Sequence, residues 1–298
     1  MSASDWFRVL VPPMFWGLSF VAIRIGLESF APFTLCSIRF FLAGFPLILL
    51  YKFPPVDWRR LVVYSLFIGV LQYGLMFWAI YLRLPAGMSS VLIQTQVYIT
   101  IFFAWIIFRE RVSLLQIAGF VISAVGLLVI GYDYFGGAEA VGFILILLSA
   151  LFWSAGNILL KTFRIQDFAG FIAWTSFLSS VPLFVLALSV EGAPQMLQQV
   201  QSASLRSWLA IIFMSVFATQ LAFALFSKMM LRLPAAKVMP FGTLVPVFGL
   251  SSNAIFLGER MPTRVFWGAL LVLAGLVVAV VLANLLRLAK SRSTPGTP

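Results

Sequence analysis

Leu82-Arg83-Leu84-Pro85-Ala86 returns 149 positions later as Leu231-Arg232-Leu233-Pro234-Ala235, and this repeat decides how the whole chain is read. At the same offset Glu110-Arg111 returns as Glu259-Arg260, Gly119 as Gly268 and Gly126 as Gly275. The register therefore holds across two apolar segments and the loop between them. Upstream the offset falls to 137, where Phe15-Trp16 matches Phe152-Trp153 and Arg24 matches Lys161. The difference is absorbed in one place, a hydrophilic loop around Glu191 to Ser204 in the second copy. A tandem duplication of a unit with an odd number of spans must place its copies in opposite orientations across a bilayer, a common ground plan of secondary transporters.

The 298 residues are 62% hydrophobic and only 10% charged, with mean hydropathy +1.06, too little polar surface for a chain of this length to face water. A span needs about 20 mostly apolar residues. The breaks leave room for ten, at roughly 9 to 28, 33 to 51, 61 to 82, 86 to 108, 113 to 131, 140 to 161, 168 to 189, 207 to 229, 237 to 257 and 264 to 286. The expected fold is an all-α membrane protein of ten transmembrane helices in a 5+5 inverted repeat. Residues 1–137 form the first five-helix unit, 138–290 the second, and 291–298 a disordered tail. Trp16 and Arg24 interrupt the first apolar stretch and no small-residue cleavage pattern follows, so it reads as a span rather than a signal peptide.

The net charge of +11 marks orientation, not nucleic-acid binding. With the N-terminus inside, all but six of the 20 basic residues fall on one side; the exceptions are Arg24, Arg39, Arg83, Arg206, Arg260 and Arg264. Both termini are therefore expected in the cytoplasm. A single cysteine, Cys36, excludes an intrachain disulfide and any multi-cysteine metal site, and there is no histidine. All nine acids lie in loops or at helix ends, so no carboxylate waits at mid-membrane to carry a proton. Acid–base and metal catalysis lack their usual groups, and neither an enzyme nor a cofactor is expected.

Polar groups in the spans are the site candidates, because amides in hydrocarbon must find partners or face a wet cavity. Gln94-Thr95-Gln96-Val97-Tyr98 sits near the middle of the fourth span, with Gln94 and Tyr98 on one helical face and Gln96 away from it. The third span adds Gln72 and Tyr73, the sixth Ser154 and Asn157, the eighth Thr219 and Gln220, and the ninth Thr243, the repeat mate of Gln94. These groups either bind a neutral ligand or serve as interhelical glue. Trp16 and Trp153, as repeat mates, have a gating or a packing role. Pro240 and Pro246 bracket Thr243 and predict a bend, as hinge or static kink. Pro85 predicts a helix start, whose N-terminus either only fixes chain direction or also holds an anionic group. The Glu110-Arg111 and Glu259-Arg260 pairs read as anchors and loop hydrogen-bonders. Gly119, Ser123 and Gly126, with Gly268 and Gly275, predict close helix contacts, within the bundle or between protomers. Of the charges that look buried, Arg24, Arg39 and Lys161, an arginine is either solvated or paired, or attracts a carboxylate at the outer mouth.

Phe15-Trp16-Gly17-Leu18-Ser19-Phe20 with Arg24, Arg39-Phe40, Pro85-Ala86-Gly87 leading into Gln94 and Gln96, Glu110-Arg111, Trp153-Ser154-Ala155-Gly156-Asn157 with Lys161, Val245-Pro246-Val247 and Glu259-Arg260 together resemble the drug/metabolite transporter superfamily, in its EamA-type branch. The resemblance covers nearly the whole chain. It implies ten helices around a central cavity and export of amino acids and related small metabolites, as in exporters of cysteine and O-acetylserine or of aromatic amino acids. Substrate contacts are expected from Trp16, Gln72, Gln94, Tyr98, Trp153, Asn157 and Thr243, with Arg24, Arg39, Lys161 and Pro246 as gating or charge-recognition candidates. A monomer in the lipid bilayer, working by alternating access as a uniporter or exchanger, is the expected form. The alternative is a flippase or carrier of a lipid-linked or hydrophobic drug-like cargo.

Overall fold

Uninterrupted apolar runs bounded by Pro, Gly and charged residues leave the backbone one way to satisfy its hydrogen bonds in a membrane, and every regular element among the described residues is helical. The computed structural model describes residues 3–134, 139–163, 165, 167–233 and 238–286. Among the described residues nine helices are long and apolar enough to span: α1 (Asp5–Gly26), α3 (Trp58–Tyr81), α4 (Ala86–Phe108), α5 (Leu114–Tyr134), α6 (Ala140–Leu160), α7 (Phe168–Glu191), α9 (Leu205–Met230), α10 (Pro240–Leu257) and α11 (Thr263–Leu286). The expected second span is a shorter apolar helix, α2 (Pro32–Ile48), of 17 residues. At 1.5 Å per residue it is about 25 Å long, against a hydrocarbon core of about 30 Å. The expected tail at 291–298 and the second Pro-Ala helix start at 234–235 lie outside the described residues.

Packing follows the repeat reciprocally. Helix α1 lies on α10 and α9, and its mate α6 on α4 and α3; α2 packs on α7, and α5 on α11. The last pair shows the reason most clearly. A Cβ on Gly119 would lie 2.5 Å from the Gly275 carbonyl oxygen, and one on Gly126 would lie 2.6 Å from that of Gly268. Gly275 is the mate of Gly126 and Gly268 the mate of Gly119, so the contact is self-complementary, as a two-fold relation between copies requires. The small-residue faces are thus used inside the bundle. Ser123 donates to the Val272 carbonyl at 3.0 Å in the same seam.

Two breaks in the α-helix recur at corresponding places of the copies, while the second copy has further π segments of its own at Ala187–Glu191 and Val277–Leu282. Leu66–Gln72 in α3 and Phe213–Leu221 in α9 are π-helical, while Ile93–Thr95 in α4 and Met239–Leu244 leading into α10 are 3-10. Pro246 stands in the first turn of the α-helical part of α10, where a missing amide costs little. The break in α4 contains no proline, so it belongs to the position in the repeat and not to proline chemistry.

The hydrophilic insertion is helical as well: α8 (Ala193–Ser202) is exposed except at the half-buried Met196 and Gln199, and follows Gly192, whose φ of +88° a side chain would strain. It carries polar groups to the buried start of α2. Glu191 accepts from the Phe33 and Thr34 amides at 2.7 and 2.9 Å and from the Thr34 hydroxyl at 2.6 Å, and Gln199 Oε1 accepts from the Ala31 amide at 3.0 Å. These are the orphan donors of a helix that begins with proline and has no cap of its own. Glu191→Ala is expected to cost about 2–3 kcal/mol, the range for charged hydrogen bonds lost to a buried helix end, with Glu191→Gln intermediate. Thermal unfolding of the purified variants checks this.

Candidate functional site

The breaks in α3 and α4 put two glutamines at irregular backbone in the interior. Gln94 lies within the 3-10 turn and is 4% exposed; Gln72 ends the π segment and is 2% exposed. Neither side chain hydrogen-bonds another described residue, although their neighbours are well paired. Helix α6 laces both breaks: Ser149 donates to the Gln72 carbonyl at 2.6 Å, and Ser154 to the Gln96 carbonyl at 2.9 Å. Irregular turns free carbonyls from the helical ladder, and these two serines supply donors. The glutamine amides are left as unspent hydrogen-bonding capacity on the inside of the bundle.

The other candidates divide by what they touch. Asn157 donates through Nδ2 to Gln96 Oε1 at 3.0 Å, so Asn157, Gln96 and Ser154 form one polar contact between α6 and α4. The Tyr98 hydroxyl bonds Ser123 Oγ at 2.6 Å, which joins α4 to the α5–α11 seam. Thr243 donates to the Pro240 carbonyl at 2.6 Å within its own 3-10 turn. Trp16 donates from its indole nitrogen to the Ala218 carbonyl at 2.9 Å, inside the π segment of α9, and its ring meets Phe223 and Phe226. Its mate Trp153 is half-buried against the core and makes no hydrogen bond to a described residue. Pro246 is buried at the start of the α-helical part of α10.

The three basic candidates occupy three different settings. Arg24 is exposed at the end of α1. Lys161 is exposed and ion-paired with Glu110. Arg39 is 2% exposed, donates from Nη2 to Thr219 Oγ1 at 3.1 Å, and lies over the rings of Tyr73, Phe40 and Phe77 at 4.2, 4.9 and 5.6 Å. These settings do not make a shared basic pocket.

Glu259 proves more committed than its place in an interfacial Glu-Arg pair suggests. Its two carboxylate oxygens accept from the Ala86 and Gly87 amides, each at 2.9 Å, so the anion at the helix start after Pro85 comes from the other repeat of the protein itself. Both partners stand in the repeated motifs, but only the packing of α4 on α10 brings them together. The aromatic box around Arg39 left no sequence signal, since Phe40, Tyr73 and Phe77 belong to two helices. A cavity of about 370 Å³ lined by the 50–55 loop, Asp167, Gly170 and Phe171 contains none of the candidate residues. Among the described residues no cluster of acids and cysteine has the makings of a metal site.

Comparison with known proteins finds one family twice along the chain. The EamA-like transporter family matches residues 7–132 and again 140–281. The chain is 32% identical over 286 residues to a "Probable amino-acid metabolite efflux pump" of Escherichia coli (strain K12), covering 94% of this chain and 96% of that protein. A protein of the same description from Salmonella typhimurium (strain LT2) shows the same identity and coverage. A crystal structure 17% identical in sequence matches the fold with a TM-score of 0.63 over 96% of this chain and 99% of that one. A multi-pass membrane protein built from two copies of one helical unit, the chain belongs to the EamA-like transporter family.

Proposed function

We propose that this transporter exports amino acids and related small metabolites across the bacterial inner membrane by alternating access, as a uniporter or exchanger. The observation that carries this reading is the pair of buried, unpartnered amides, Gln72 and Gln94, at the breaks of α3 and α4. Interior amides that bond no other described residue have donors and acceptors to offer, and a polar, uncharged cargo matches them. The efflux-pump description of the relatives in Escherichia coli and Salmonella supports amino-acid metabolites as the cargo class.

In this scheme the fold is ten membrane helices, with α2 as the short tenth, arranged 5+5 in opposite orientation over residues 1–137 and 138–290. The basic-residue distribution supports cytoplasmic termini. Gln72 and Gln94 hold the cargo first; Asn157, Tyr98 and Thr243 join when the breaks shift and their present hydrogen bonds exchange. Trp16 and Trp153 close the cavity from the two halves, and Pro246 sits at the pivot of α10. Acids confined to loops and helix ends favour transport without a proton carried by a buried carboxylate. The glycine faces are consumed between α5 and α11, which favours a monomer. A lipid-linked cargo fits less well, because Arg24, Arg39 and Lys161 do not form one head-group pocket.

Gln94→Ala and Gln72→Ala are each expected to lower amino-acid exchange by about tenfold or more while leaving thermal stability nearly unchanged. Asn157→Ala, which frees Gln96, is expected to lower both. Counterflow in liposomes, read beside unfolding temperature, checks this; wild-type flux in both glutamine variants would overturn the assignment.

A further inference from the structure

Arg39 is the one described basic side chain that is fully enclosed, and the protein does not meet its needs. A guanidinium presents a planar fork of five N–H donors and no acceptor. It forms no ion pair with a described acid, and Nε and Nη1 are buried with no hydrogen-bond partner. Glu191, on a helix beside α2, is committed to the Phe33 and Thr34 amides. The three rings cover the charge with π-electron density but offer no acceptor to N–H bonds in the guanidinium plane. The fold does not demand a cation here either, because the repeat places Ser176, also buried, at the matching position of the second half.

Two of the groups that enclose Arg39 stand in or beside irregular backbone, while Phe40 and Phe77 lie in regular helix. Thr219 belongs to the π segment of α9 and Tyr73 directly follows the π segment of α3, so two of the contacts that close over the guanidinium stand where the helical ladder is irregular. The free guanidinium nitrogens present the planar N–H pattern that carboxylates match in two-point hydrogen bonds. We infer that Arg39 makes transport selective for cargo bearing a free carboxylate, with the carboxylate displacing the Tyr73 ring and supplying the acceptors the protein omits. This rests on reading the chain as a small-metabolite transporter, and it adds that amides and esters of the same compounds are poor cargo.

The test is the thermal shift of the purified full chain with matched ligands: free amino acids, their amides, and N-acetyl amino acids, which keep the carboxylate and lose the ammonium. Wild type is expected to respond to carboxylates at concentrations at least about tenfold lower than to the matching amides. Arg39→Gln is expected to bring that ratio to about one, and Arg39→Lys to keep part of it. Equal response of wild type to acids and amides, an unchanged ratio in Arg39→Gln, or no response to any carboxylate overturns the inference. Should Arg39→Gln not fold, the acid-to-amide ratio of wild type alone still decides. N-acetyl acids acting through Arg39 while free amino acids do nothing would support it and remove the amino-acid reading; amino acids and amides acting equally would do the reverse.

Discussion

Gly126→Leu is expected to leave little folded protein in the membrane. A Cβ at this position would lie 2.6 Å from the Gly268 carbonyl oxygen and 2.8 Å from the Val272 amide nitrogen, both backbone atoms that no rotamer change moves aside. Leucine adds three further carbons to the same space, so α5 and α11 must separate along the seam that also carries the Ser123–Val272 hydrogen bond. Overpacking a well-filled interior costs about 1–3 kcal/mol when side chains yield, and more when backbone has to. A penalty above about 3 kcal/mol removes a large part of the stability of a typical domain. Gly268→Leu, on the other side of the contact, is expected to do the same. Leu128→Gly, at an exposed position of the same helix, is expected to cost about 1 kcal/mol from helix propensity alone. The amount of monodisperse protein after detergent extraction distinguishes them.

Glu259→Ala is expected to reduce both stability and transport, the latter by about tenfold or more. The side chain closes two amide donors at the start of α4, and both bonds are charge-assisted at a helix N-terminus. Each is worth about 1.5–3 kcal/mol. The effect reaches the site because Gln94 stands two turns along the same helix, whose first two amides then lose their acceptors while the packing of α4 on α10 remains. Glu259→Gln retains one acceptor and is expected to fall between. Lys161→Ala, which breaks an exposed ion pair with Glu110, is the useful contrast and is expected to cost less than about 1 kcal/mol. Unfolding temperature and exchange flux on the same preparations test the pair.

The repeated motifs carried much of the architecture. Gly119, Gly126, Gly268 and Gly275 were spaced for a helix seam, and the packing adds that they meet one another in reciprocal pairs. Pro85 marked a helix start, and Glu259 stood in a repeated pair; their union needed the packing of α4 on α10. Composition also separated spans from loops well, but it reports burial rather than backbone geometry. The insertion around Glu191 to Ser204 reads as a hydrophilic loop for that reason, yet Ala193–Ser202 is a helix that serves the start of α2.

The site was legible in residue type more than in arrangement. Nothing in Leu66–Gln72 or Ile93–Thr95 distinguishes a π or 3-10 segment from ordinary helix. A 3-10 turn advances about 120° per residue against about 100° in an α-helix, so three residues rotate the remainder of the helix by about 60°. In a continuous helix Gln94 and Tyr98 share a face; after the break Tyr98 meets Ser123 on α5 while Gln94 keeps its amide unpaired. The enclosure of Arg39 depends on α2, α3 and α9 together, which no spacing within one helix reveals.

Export of amino acids through a neutral cavity is tested most directly by uptake of a panel of radiolabelled amino acids into liposomes holding the purified protein, with and without a pH gradient. Saturable flux that is accelerated by amino acid on the opposite side and indifferent to the gradient is the predicted result. Absence of flux for every amino acid, or flux that requires the gradient, would contradict it.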